Sequence, residues 1–276
     1  MKTLIHLHRW LPRFIVVAAL VATSAAAQEK ILLDGSTGMI PLATALATAY
    51  QQQFAEPRIE IGQGLGTGQR LRALADGRIQ IALASHGLRP EDLQKDQLKL
   101  VEVARGAIVF AVNASVPVDG FTEAQICDLF SGRTRNWREL GGLDQSVQVL
   151  TRPPAEVDPE VIRAKVACFR DLKEVDTAKV MARGGDMAKA LAETPHAVGM
   201  TSMTVVEQSG GRIRALMLGD AAATPQNVKA GRYALTRDYF FVIKEPPSAA
   251  VTRFVEFVLG PAGDAAIRAS GAIPTR

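Results

Sequence analysis

Ser36 and Thr37 stand between Gly35 and Gly38, directly after the apolar residues 31–33 and before an Ala/Leu-rich pattern that begins near Pro41. At such a strand-to-helix junction the first backbone N–H groups of the helix lack internal acceptors, and the helix dipole adds partial positive charge. The two hydroxyls supply further donors, and glycine allows close approach to the backbone. This combination suits an oxyanion, and it equally suits an N-capped turn that holds no ligand. Two further turns add weight to the first reading. Gly64, Gly66, Thr67 and Gly68 separate another apolar stretch from a helical pattern, with Arg70 just inside it, and Ser85, His86 and Gly87 end a third apolar run. In open α/β sheets ligands sit outside the carboxyl ends of strands, where three such turns can converge. The spacing is not GxxxxGK[ST], so the second turn is no nucleotide-phosphate loop, and a lone GxG is weak evidence for a dinucleotide.

The segments that must position these turns alternate in period. A helical pattern over residues 41–54 is followed by a short strand at 58–62, a helix over 70–77 and a nearly continuous apolar strand at 79–85. Residues 99–113 have the β-branched density of one or two central strands. Thr122 with Gln125 three residues later predicts a capping box ahead of a helix over 123–132. Residues 147–151 form a strand ended by Pro153 and Pro154; Asp158 and Pro159 then open a helix as N-cap and N1. A helix near 187–195, strands near 196–202, 213–218 and 233–245, and two terminal helices parted by Gly260 and Pro261 complete an α/β alternation.

Lys2, Arg9 and Arg13 precede the apolar residues 14–22 and the small residues 25–27, the composition of a cleaved secretory signal over residues 1–27, with an uncleaved anchor as the alternative. Its removal lowers the formal charge of +4 by three, so the remainder has no excess of basic charge to suggest a nucleic-acid partner. Cys127 and Cys168 enter an oxidising compartment, where they form one disulfide or remain buried thiols. Neither has the spacing of a redox or zinc motif, and no cofactor motif is present.

Residues 110–142, with Asn113, Phe121, Thr122, Leu129, Phe130, Ser131, Gly132, Asn136, Trp137, Leu140, Gly141 and Gly142, resemble the phosphate-binding proteins of ATP-powered importers, within the two-lobed solute receptors. The likeness extends over residues 34–50, 81–92, 196–202 and 223–275. It implies a two-lobed, type II-like periplasmic binding fold: residues 28–112 with 236–276 as one lobe, 113–235 as the other, and an anion held between them. It further implies a monomer in the periplasm that delivers phosphate or a related small oxyanion to an inner-membrane ABC permease. Ligand contacts carried over are Gly35, Ser36, Thr37, Gly38, Ser85, His86 and Arg152, with Thr67 supporting the wall. Two departures stand out. His86 replaces the usual Asp, and Pro153, Pro154, Glu156 and Asp158 replace the usual Gly-Ser-Gly-Thr donors, which removes N–H groups and adds carboxylates. A regulatory or protein-interaction role, or a small organic anion as ligand, therefore remains the alternative.

Arg70 and Arg72 read as solvated helix residues whose stems snorkel, and Arg135 and Arg152 can face either cleft or solvent. Asn136 and Trp137 suit a structural anchor; His196 suits an ordinary surface or core position. Ser36 or Ser85 with His86 or His196 lacks both a nucleophile elbow and a third acidic member, so the chain is not expected to be an enzyme.

Overall fold

The computed structural model describes residues 29–275 apart from Gly87 and Lys95; the expected leader lies outside the described residues. The chain runs through β1 (Lys30–Gly35), α1 (Ile40–Gln51), β2 (Arg58–Ile61), α2 (Thr67–Ala75), β3 (Ile81–Ala84), α3 (Pro90–Gln94) and β4 (Leu98–Asn113). It continues through β5 (Gly120–Phe121), α4 (Glu123–Ser131), β6 (Gln148–Thr151), α5 (Val157–Lys165), β7 (Lys179–Val180), α6 (Gly184–Glu193), β8 (Ala197–Ser202) and α7 (Met203–Gln208). The last elements are β9 (Ile213–Ala215), β10 (Met217–Leu218), α8 (Pro225–Lys229), β11 (Thr236–Lys244), α9 (Ala249–Val258), α10 (Pro261–Ala269) and β12 (Ala272–Pro274).

β4 is one strand of 16 residues, about three times the usual length, and it serves both lobes. Its first part pairs antiparallel with β11 from Leu98 to Ala107, and its second part pairs with β8 from Ile108 to Val112. Leu235, just before β11, accepts from the Ile108 amide at 2.8 Å, so both crossing strands change sides at the same level. The hydrogen-bonded order β2-β1-β3-β11-β4-β8-β6-β7 is therefore continuous, while the apolar cores are separate. In the first lobe one core gathers Ile31, Leu42, Leu46, Tyr239 and Phe254 and a smaller one Leu74, Ile79 and Val242, while the second lobe gathers Phe110, Phe130, Trp137, Leu150 and Met200. Because β1, β2 and β3 are parallel, their carboxyl ends and the turns that follow lie at one edge of the first lobe.

Local chemistry explains the element boundaries. The Gln125 amide donates to Thr122 Oγ1 at 3.2 Å while Gln125 Oε1 accepts from the Thr122 amide at 2.9 Å, the expected capping box. Cys127 and Cys168 are joined, with Cα atoms 6.3 Å apart, tying α4 to the segment after α5. The expectation for Asp158 needs correction: Glu156 is the N-cap of α5, and Asp158 lies in the first turn. Its carboxylate meets a buried guanidinium, a charged partner that outcompetes a backbone amide.

Trp137 is 1% exposed, stacks on Phe121 with ring centroids 6.1 Å apart, and donates Nε1–H to the His196 carbonyl at 2.9 Å. It anchors the turn after α4 and leaves His196 a backbone role. Trp137→Ala should lower the unfolding free energy by roughly 3–5 kcal/mol, measured by urea denaturation, while Arg135→Ala, at an exposed position, should stay within about 0.5 kcal/mol.

Candidate functional site between the lobes

One carboxylate ties the first two turns together. Asp34 Oδ1 accepts from the Gly35 amide at 2.7 Å and from the Gly64 amide at 2.8 Å, and the Leu65 amide donates to the Gly35 carbonyl at 2.8 Å. Gly35 sits at φ 144°, and a β-carbon there would overlap the Leu83 backbone, so the tight exit from β1 requires glycine. The Ser36 amide donates to the Leu83 carbonyl at 2.9 Å, and Ser36 Oγ lies 2.5 Å from Ser85 Oγ. The first and third turns thus meet side by side. Neither hydroxyl of residues 36 and 37 caps α1, whose N-cap is Met39 without a side-chain bond. Thr37 Oγ1 instead accepts from the Gly184 amide at 3.2 Å, at the start of α6 in the opposite lobe.

Three arginines are buried in the described residues: Arg70 at 2%, Arg152 at 3% and Arg237 at 7% exposure. The expected solvation of Arg70 is thereby corrected. Its stem packs against Gly35 because the helix that carries it turns inward under the glycine-rich loop, whereas Arg72 on the same helix is exposed as expected. Arg152, at the end of β6, faces inward and pairs with Glu156 at 2.7 Å. Arg237, on β11, pairs with Asp158 of α5 at 2.8 Å across the cleft. Gly38 is needed for this approach, since a β-carbon there would overlap the Arg237 guanidinium. Even with these ion pairs, Arg70 Nε and Nη2, Arg152 Nε and Nη1, and Arg237 Nε have no hydrogen-bond partner. Buried donors are seldom left so, and guanidinium groups match tetrahedral or planar oxyanions in both charge and geometry.

Burial lowers the Arg70 guanidinium to about 10, still cationic at neutral pH. Burial, the largest single effect, would lower Arg237 too, but the Asp158 charge together with Tyr239 and Glu156 outweighs it and the net direction is upward. His86 is held below its ordinary value by partial burial first and by the Arg70 charge second, against weaker opposing effects of Glu160 and Glu156. Its ring is accordingly neutral at pH 7. Thr67 is exposed in the first turn of α2 and stands apart from the enclosed group. Arg237 and the pairing role of Asp158 were not evident in sequence: Arg237 looks like one more alternating strand residue, and only the antiparallel register of β11 turns it into the cleft.

A cleft closed between two α/β lobes, walled by hydroxyls at strand ends and by buried guanidinium groups, defines a two-lobed binding protein whose site is fitted to small anions. The chain belongs to the PBP superfamily, whose domain matches residues 20–262. Among its relatives, the phosphate-binding protein PstS of Bacillus subtilis is 26% identical over 77% of this chain and 70% of its own length. The protein SphX of Synechococcus elongatus is 26% identical over 92% and 80% respectively. A substrate-binding protein from Clostridium perfringens with bound phosphate shares the fold, with a TM-score of 0.71 at 24% identity over 90% of this chain and 100% of that one. Among the described residues no group of three or more His, Cys, Asp or Glu could hold a metal ion.

Two outcomes follow from this geometry. Gly38→Val should displace the Arg237 guanidinium and lower stability by about 1–3 kcal/mol, read by chemical denaturation. The folded state holds His86 below the unfolded value of 6.5, so between those two values the unfolded chain binds more protons. His86 therefore contributes stability that is fully present above 6.5 and is lost as pH falls through the folded value. NMR titration should place His86 below 6.5, and His86→Gln should flatten that part of the stability–pH curve.

Proposed function

We propose that this protein is a periplasmic solute-binding protein for phosphate or a related small oxyanion, which it holds between its lobes and delivers to an inner-membrane ABC importer. The observation that carries the reading is the set of buried guanidinium nitrogens without partners in a cleft closed by contacts from both sides. An oxyanion placed there accepts from Arg70, Arg152 and Arg237, from the Ser36, Thr37 and Ser85 hydroxyls, and from the Gly38 amide, with neutral His86 at the edge; the Gly35 amide is taken by Asp34, so Gly35 shapes the turn. Thr67, exposed at the start of α2, is not among the donors. The names of the PstS relatives support phosphate as the leading ligand. Residues 28–112 with 236–276 move as one body against 113–235, residues 1–27 are removed on export, and the mature protein acts as a monomer.

The replaced loop after Arg152 favours one second reading. Pro153 and Pro154 offer no amide donors, which fits an anion with fewer acceptors on that side, such as a small organic acid. Calorimetry separates the two: inorganic phosphate should bind at micromolar concentrations, and Ser36→Leu should weaken it at least tenfold while the melting temperature changes by only a few degrees. Binding of small carboxylates in preference to phosphate would favour the second reading. No oxyanion binding at millimolar concentration would contradict the first.

A further inference from the structure

The carboxyl ends of α1 and α9 meet on the far side of the first lobe. α1 starts beside the anion turns and runs for 12 residues, about 18 Å at the helical rise, so this end is remote from the cleft. Three aromatic rings gather there. Tyr50 and Phe54 are four residues apart, with centroids 5.0 Å from each other; Phe257 of α9 lies 5.2 Å from Tyr50 and 6.1 Å from Phe54, at interplanar angles of 88° and 85°. Tyr50 is buried and its hydroxyl donates to the Glu56 carbonyl at 2.9 Å, which fixes the base of the group. Phe54 and Phe257 stand at nearly a right angle to each other, and Phe54 is 46% exposed. The hollow that these rings line has a volume of about 470 Å³, within the range of small-molecule sites.

The charged residues lining this hollow are Glu56, Glu256 and Arg253. Arg253 is engaged by Glu29, Nη2 to Oε2 at 2.5 Å, whereas Glu56 and Glu256 have no ion-pair partner among the described residues. Neither α1 nor α9 carries a basic residue in its last turn, so the partial negative charge of both carboxyl ends is uncompensated on this side. The amino end of α10 begins here at Pro261, and Asp264 in its first turn offsets its partial positive charge. Positive charge is thus favoured by the ring faces, by two carboxylates and by two helix ends. A hydrated metal ion gains little from the rings, a neutral apolar molecule gains nothing from the carboxylates, and an anion is opposed by both. An ammonium centre wrapped in methyl groups satisfies all of these surfaces. We infer that the corner formed by Phe54 and Phe257 binds a small organic cation of the quaternary ammonium class, its methyl groups against the two rings and its charge facing Glu56 and Glu256. This site is separate from the anion cleft and does not depend on what the cleft holds.

Choline is the probe, and 3,3-dimethylbutan-1-ol, which has the same shape with carbon in place of the charged nitrogen, is its neutral control. An NMR titration of the protein with choline should saturate with a dissociation constant below about 10 mM, with shifts confined to amides around residues 50–56 and 253–262. The alcohol should bind at least about fivefold more weakly, the share expected of a cation–π contact. Phe54→Ala and Glu256→Gln alter exposed side chains and should leave the fold and any phosphate binding as in wild type. Phe54→Ala should weaken choline at least about fivefold, and Glu256→Gln about twofold or more. Absence of choline binding at 10-millimolar concentrations, equal binding of the alcohol, or undiminished choline binding by Phe54→Ala would each overturn the inference. Self-association of the wild-type chain that Phe54→Ala abolishes in sedimentation would overturn it as well, since the corner would then be an interface between two copies.

Discussion

A guanidinium group withdrawn from water must meet negative charge or forfeit a large hydration free energy. Among the described residues three arginines are buried near the boundary of the two lobes, and much of the architecture can be traced to meeting that demand. Asp158 answers Arg237 from the far side of the cleft, Glu156 answers Arg152 from within the same loop, and Arg70 has no carboxylate partner among the described residues. Removing one partner of a buried pair typically costs about 3–5 kcal/mol because the other charge is left uncompensated, so Arg237 and Asp158 each depend on a residue of the opposite lobe. The nitrogens still without acceptors are the part of the demand that the protein alone does not meet.

The backbone brings these charges together by economical means. Parallel strands β1, β2 and β3 end at one edge, so the turns bearing Ser36, Gly64 and Ser85 are neighbours without any long-range loop. The Asp34 carboxylate fixes two of those turns to each other. β4 and β11 then cross from one lobe to the other as an antiparallel pair, and β11 delivers Arg237 close to the crossing. Besides these strands, polar contacts between the lobes among the described residues include the Arg237–Asp158 ion pair, the Gly184 amide on Thr37 Oγ1, and Gln208 Nε2 on the Pro41 carbonyl at 3.1 Å. Two crossing strands with a sparse polar seam are the construction expected of a cleft that opens and closes by a hinge.

Local signals in the sequence were enough for most of the elements. The capping box at Thr122, the proline-started α10 and the strand density of residues 99–113 all describe interactions within a few residues of one another. The first and third turns were legible as turns at strand ends, although a Gly-Ser-Thr-Gly stretch after an apolar strand equally suits an N-capped turn without a ligand. What remained hidden was long-range. Arg70 carries the same helical pattern as Arg72, and only the packing of α2 beneath Gly35 decides that one is enclosed and the other is solvated. Asp158 resembles an N-cap by position, yet its partner lies 79 residues away in β11. Charge pairs across a cleft leave no spacing signature, and this site is built mostly from such pairs.

The central claim, that these buried arginines converge on an exogenous tetrahedral anion, is tested most directly by crystallising the protein with arsenate, whose anomalous scattering locates the anion without reference to any prior placement. The account predicts one anomalous peak between the lobes, within hydrogen-bond distance of the Ser36 hydroxyl and of Arg152 and Arg237 nitrogens that now lack partners. A cleft without such a peak at millimolar arsenate, or a peak bound only at the surface with the three guanidinium groups unchanged, would contradict it.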